Sequence, residues 1–129
     1  MPDIEEQLRY ELGEAVRMAS EPQTVPVNLY QTDEALVLVA PLPGVMADDV
    51  EVVVEPGQVT VSAAMRTAAP KDYLLHEWHY GPYQRSIELP WGFGATATAS
   101  FGNGQLAVQL GRGDPTERFV VRPRSGGRR

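Results

Sequence analysis

The stretch Ala97-Thr98-Ala99-Ser100-Phe101-Gly102-Asn103-Gly104-Gln105-Leu106-Ala107-Val108-Gln109-Leu110 decides the fold class. Ala97, Ala99 and Phe101 alternate with Thr98 and Ser100; Leu106, Val108 and Leu110 then recur at the same two-residue step. That period places each set on one face of a strand. Asn103-Gly104 lies between them. Both central positions of a tight hairpin turn need positive φ, which Asn and Gly supply at least cost. The same residues contain Gly102, Gly104 and Ala107 at the spacing of a dinucleotide-binding fingerprint. That fingerprint works only where a helix begins, so that its N-terminus meets the pyrophosphate. Here the period-two alternation simply continues, and the segment reads as a hairpin.

Working outward, the same pattern fills residues 25–110. Val59, Val61 and Ala63 alternate with Gln58, Thr60 and Ser62. Pro56-Gly57 precedes them, with Pro preset for the second turn position and Gly suited to the third. Before that turn, Val50, Val52 and Val54 line one strand face, while Glu51 and Glu55 share the other with Val53. Residues 35–40 are an unbroken apolar run, as expected of a strand buried on both faces. Asp33-Glu34 marks the turn before it, and Val25, Val27 and Leu29 alternate with Pro26, Asn28 and Tyr30. Short strands at regular turn spacing predict an all-β antiparallel sandwich. Residues 66–80 are less regular and read as a long loop that carries a short strand.

Two flanks complete the division. Residues 1–24 form an arm, with a predicted helix over 3–20. Ile4, Leu8, Leu12 and Val16 share its apolar face. That stripe is expected to pack on another subunit or a client chain, with its own domain as the alternative. Residues 111–129 read as a flexible tail punctuated by Gly111, Gly113 and Pro115, with one apolar cluster, Phe119-Val120-Val121.

Charge follows the same division. The chain has 129 residues and a formal net charge of −6. Residues 1–24 carry −4, residues 25–65 carry −6 with no base, residues 66–110 balance, and residues 111–129 carry +4. An acidic body with a basic tail is suited to head-to-tail association, or the tail is simply a solvated end; the composition of the last stretch, Arg124 to Arg129, reads as disordered and favours the solvated end. The overall acidity argues against nucleic-acid binding, which rests on Lys and Arg.

Catalytic and metal chemistry finds little support. There is no cysteine, hence no disulfide, thiolate metal site or thiol nucleophile. His76 and His79 are three apart, a spacing that puts them on opposite faces of a strand, so no metal site is expected. No G-x-S-x-G elbow or phosphate loop occurs, and no pair of acids stands out. No cofactor is expected. The longest apolar run, residues 35–42, is far short of the roughly 20 residues of a membrane span. The acidic start, Met1-Pro2-Asp3-Ile4-Glu5-Glu6, is unlike a signal peptide. A soluble, cytoplasmic chain is the expectation.

These motifs, in this order, resemble the small heat-shock protein family and its alpha-crystallin domain. Residues 26–33, Pro-Val-Asn-Leu-Tyr-Gln-Thr-Asp, are similar to its opening strand. Ala40-Pro41-Leu42-Pro43-Gly44, followed by Asp48-Asp49-Val50-Glu51-Val52, resembles A-x-L-P-G and its sequel. Residues 81–90, Gly-Pro-Tyr-Gln-Arg-Ser-Ile-Glu-Leu-Pro, resemble G-x-F-x-R-x-F-x-L-P, with Tyr83 for Phe and Ile87 for the second Phe. Residues 99–106 resemble A-x-x-x-N-G-x-L.

The resemblance implies an immunoglobulin-like sandwich and an ATP-independent holdase, which binds partly unfolded proteins and prevents their aggregation. It implies a homodimer or larger oligomer, in which Tyr73, Leu74, Leu75, His76 and Glu77 pair with a partner's strand at Val25, Val27 and Leu29. Arg85 would brace that region. Phe119 and Val121 stand in the two anchor places of the family's I-x-I motif. They would dock in a groove lined by Val50, Val52, Val54, Ala97, Ala99 and Phe101, on a neighbour or on their own domain, with the neighbour favoured. The alternative is a co-chaperone or adaptor module that binds one folded partner. A hydrolase with paired acids has only residue types behind it.

Overall fold

The computed structural model describes residues 22–65, 72–78 and 81–125. The predicted helix over 3–20, with Ile4, Leu8, Leu12 and Val16, lies outside the described residues.

In chain order the strands are β1 (Gln23–Thr24), β2 (Asn28–Gln31), β3 (Ala35–Pro41), β4 (Val50–Glu55), β5 (Gln58–Ala63), β6 (Tyr83–Glu88), β7 (Phe93–Gly102), β8 (Gln105–Arg112), β9 (Phe119–Val121) and β10 (Arg124–Ser125). They form two five-stranded sheets, ordered β1-β6-β5-β4-β9 and β10-β7-β8-β3-β2. The pairing is antiparallel except at two outer strands, where β1 runs parallel to β6 and β10 parallel to β7.

The turns form where local chemistry demands them. Asn103 and Gly104 have φ of 53° and 75°, both in the left-handed region the tight β7–β8 hairpin requires. In the β2–β3 turn the Thr32 hydroxyl accepts from the backbone N–H groups of Glu34 and Ala35, at 3.3 and 3.1 Å. This small side-chain turn reverses the chain at Asp33-Glu34.

The period-two faces meet between the sheets. Leu36, Leu38 and Ala40 of β3 lie opposite Leu110, Val108 and Leu106 of β8. Val52 and Val54 of β4 lie opposite Val61 and Val59 of β5. All of these are buried in one core with Phe93 and Phe101. Each fully covered Val or Leu contributes about 1.5–3 kcal/mol. Val37 and Val53 are also buried, but on the outer faces of their sheets and outside that core.

The predicted opening strand is divided. Gln23–Thr24 belongs to the first sheet and Asn28–Gln31 to the second. Pro26 has no N–H to give a ladder, so pairing breaks at Val25-Pro26-Val27 and the chain crosses between sheets there. Val25 is buried at the crossing. The sandwich also extends beyond residue 110: β8 runs to Arg112, and β9 and β10 join one sheet each. Among the described residues no helix is long and apolar enough to cross a membrane.

Candidate functional site

The sheet order leaves β2 as an outer strand that pairs only with β3. All four β2 residues are exposed, Leu29 and Tyr30 at 39% and 53%. Such an edge offers a row of backbone donors and acceptors to another chain.

Three long-range hydrogen bonds hold the approach to this edge. The Arg85 guanidinium, on β6, donates through Nη1 to the carbonyl of Val25 at 2.7 Å. Gln23 serves as a clamp: its side-chain amide donates to the Gly81 carbonyl, and its Oε1 accepts from Trp78 Nε1 at 3.1 Å. The long loop is thereby tied to the start of β1, next to the crossing that leads into β2.

Residues 72–78 form no strand and are all exposed. Tyr73 and His76 stack with ring centroids 4.2 Å apart. Leu74 and Leu75 are bare, and Trp78 is about half exposed. The expected dimer residues therefore fall into two groups. Val25, Val27 and Arg85 are at least partly buried beside the crossing. Leu29 and Tyr73, Leu74, Leu75, His76 and Glu77 are presented to solvent, and within the chain no ladder joins residues 73–77 to β2.

The β4 edge is arranged differently. β9 pairs antiparallel with β4 of the same chain, setting Phe119 against Val54, Val120 against Val53 and Val121 against Val52. Phe119 and Val121 are partly buried against the core, and Val120 faces out. The chain then passes the buried Pro123 and lays β10 beside β7, with Arg124 opposite Ser100. Arg122 spans the junction, with Nη2 3.0 Å from Glu51 Oε2. The interval between β4 and β7 expected to take an anchor thus holds residues 119–125 of its own chain. Val50, Val52, Val54, Ala99 and Phe101 are buried in the core, and Ala97 is partly buried against it.

The turn that directs the tail is pinned. Gly113, at φ 101°, donates to the Gly92 carbonyl at 2.8 Å, and its own carbonyl accepts from Ala95 at 2.9 Å. Asp114 Oδ1 accepts from Gly92 N at 2.6 Å. Held this way, residues 113–118 return the chain to its own β4, at the high effective concentration of an intramolecular contact. Gln23, Arg122 and Pro123 were not distinguishable in the sequence, because each acts across the fold on a distant partner.

Comparisons with known proteins agree with this architecture. The sequence matches the family model of the Hsp20/alpha crystallin family over residues 28–124. No curated protein matches the chain in sequence. Among solved structures, it is similar to hspA from Xanthomonas axonopodis, at 22% identity and a TM-score of 0.64, over 71% of this chain and 96% of that one. A small heat-shock protein from Xylella fastidiosa aligns at 24% identity and a TM-score of 0.61, over 74% of this chain and 92% of that one. Heat shock protein 16.0 from Schizosaccharomyces pombe aligns at 24% identity and a TM-score of 0.60, over the same shares of the two chains.

Proposed function

Because the chain belongs to the Hsp20/alpha crystallin family, we propose that it is a chaperone that holds partly unfolded proteins without ATP and keeps them from aggregating. One observation carries this reading: a bare strand edge, β2, on the same chain as exposed Leu29, Tyr30, Leu74, Leu75 and Trp78. Non-native chains present what such a surface takes, namely apolar side chains and unpaired backbone. Binding them lowers their free concentration and so slows aggregation, which rises with that concentration. No nucleotide chemistry enters the cycle, so capture and release follow mass action.

The same edge supports self-association. Residues 73–77 of one copy pair with β2 of another and form a homodimer by strand exchange. Arg85 acts as a positioning residue, holding the Val25 carbonyl and so the entry into β2. The arm over 3–20 adds client-binding surface through Ile4, Leu8, Leu12 and Val16.

The test is suppression of heat- or reduction-induced aggregation of several unrelated clients, at near-stoichiometric ratio and without nucleotide. Protection of all of them is expected, and removal of residues 1–20 is expected to weaken it. Failure with every client, alongside tight binding of one folded partner, would replace the holdase with an adaptor.

A further inference from the structure

A cavity of about 630 Å³ opens at the end of the sandwich where β6 finishes and β7 begins. None of its lining residues belongs to β2 or β9; Pro56 and Gly57 bring it to the end of β4. Leu89, Pro90, Phe93 and Pro115 form its apolar walls. Trp91 lines it and is 90% exposed, so its indole face is open to a ligand. The polar side chains of the lining are carboxylates, Glu88 and Asp114. No described ion pair involves either, although Asp114 Oδ1 accepts from Gly92 N. Arg112, the cation that caps the Phe93 ring at 4.9 Å, is already engaged with the Asp33 carbonyl.

An open aromatic face beside carboxylates selects a guanidinium. Arg stacks its plane on an indole while its N–H groups reach carboxylate oxygens. A purely apolar client segment would leave both acids without a cation. The chain itself carries the matching cations: Arg128 and Arg129 follow Ser-Gly-Gly in a segment of net charge +4, whereas the chain as a whole is −6.

Geometry makes the contact intermolecular. β10 runs parallel to β7, with Ser125 beside Phe101. The chain therefore leaves Ser125 heading away from Phe93, which lies about 25 Å back along β7. The four residues from 126 to 129 span at most about 14 Å. They do not reach the cavity of their own domain.

We propose that this cavity receives the Arg128-Arg129 segment of a second copy, with a guanidinium stacked on the Trp91 indole between the carboxylates of Glu88 and Asp114. The contact is head to tail, so it adds copies or dimers in a ring or an open series. It is separate from strand exchange and is distinguished by its salt dependence.

Sedimentation of the full chain over a range of concentration and salt tests this. Wild type is expected to gain mass with concentration at low salt. That growth should vanish at about 1 M salt, where charges are screened beyond about 3 Å. R128E/R129E, Glu88→Lys and Trp91→Ala should each weaken the growth about tenfold, with unchanged circular dichroism. The Glu88→Lys and R128E/R129E proteins, each defective alone, should associate when mixed. The intact Arg128-Arg129 tail of the Glu88→Lys protein then meets the intact acidic cavity of the R128E/R129E protein. Wild-type mass that ignores salt, an R128E/R129E protein that grows like wild type, or a mixture that fails to associate would each overturn the proposal. An effect of Trp91→Ala without one of R128E/R129E would overturn it too, by giving the cavity to another occupant.

Discussion

The two outer strands β9 and β2 meet the same physical problem in opposite ways. β4 would be a long apolar edge at the side of its sheet, and the chain's own Phe119–Val121 covers it. β2 is short, wholly exposed and uncovered. An unpaired ladder invites association wherever it occurs. The difference lies in what each edge would cost if bare. β4 carries Val50, Val52 and Val54, the centre of the core, and exposing its margin would wet them. β2 contributes no residue to that core, so it can stay open without weakening the domain. Stability is concentrated at one edge and availability at the other.

The widest test of this contrast is deletion of residues 72–77. If β2 is kept open for a partner's loop, the deletion should leave a folded domain with an unchanged core, which lies elsewhere. Light scattering should then give monomers at micromolar concentration, against dimers for the full chain. A deletion variant that remains dimeric would move the dimer contact away from β2.

The next test strikes the covered edge. Phe119→Ala with Val121→Ala removes both side chains that pack on the core from β9. Full burial would make the pair worth more, but both are only partly covered, so a loss of about 2–4 kcal/mol is expected. In a domain of this size that is roughly a 10 °C fall in melting temperature. A double variant that melts like wild type but loses subunits would show that these anchors serve a neighbour's β4.

A smaller effect is expected at Arg85. Its guanidinium satisfies the Val25 carbonyl at 2.7 Å. Truncation to Ala leaves that acceptor at a crossing where the ladder is already interrupted. The expected cost is about 1–3 kcal/mol, read by thermal melting. Dimer affinity should fall with it, since the crossing sets the path into β2. Arg85→Lys should recover part of both. Loss of stability without any change in dimer affinity would make Arg85 a brace of the domain alone.

What could be read from the sequence was local. Asn103-Gly104 and Pro56-Gly57 carry their turns within a few residues, and the period-two valines carry their faces. The hairpins and the two-sheet core followed from these. The division of the opening strand was legible only in principle: Pro26 was visible, but the Val25-Val27-Leu29 alternation outweighed it. Contacts such as Trp78 to Gln23, 55 residues apart, leave no local trace. Nor does the destination of the tail. Phe119 and Val121 suit a β4 groove whichever copy supplies it, and the choice is made by the Gly92, Gly113 and Asp114 bonds that turn residues 113–118 back.

The smallest expected effect separates two ways of holding β9 down. Arg122 lies 3.0 Å from Glu51, with side chains 62% and 35% exposed, and its second nitrogen is 3.4 Å from the Val50 carbonyl. An ion pair this open to water is worth about 0.2–1 kcal/mol, because solvent and salt screen it and two long side chains must be ordered. The carbonyl contact is long and adds little. Arg122→Ala should therefore shift the melting temperature by only a few degrees, and the shift should shrink further as salt is added. The apolar pair, Phe119 and Val121, would then account for most of the hold on β4, and their contribution should be indifferent to salt. If Arg122→Ala instead costs more than about 2 kcal/mol, beyond the range of exposed pairs, the ionic link rather than apolar burial keeps β9 on its own domain. The covered edge would in that case be a salt-sensitive closure, and the contrast with β2 would narrow to one of degree.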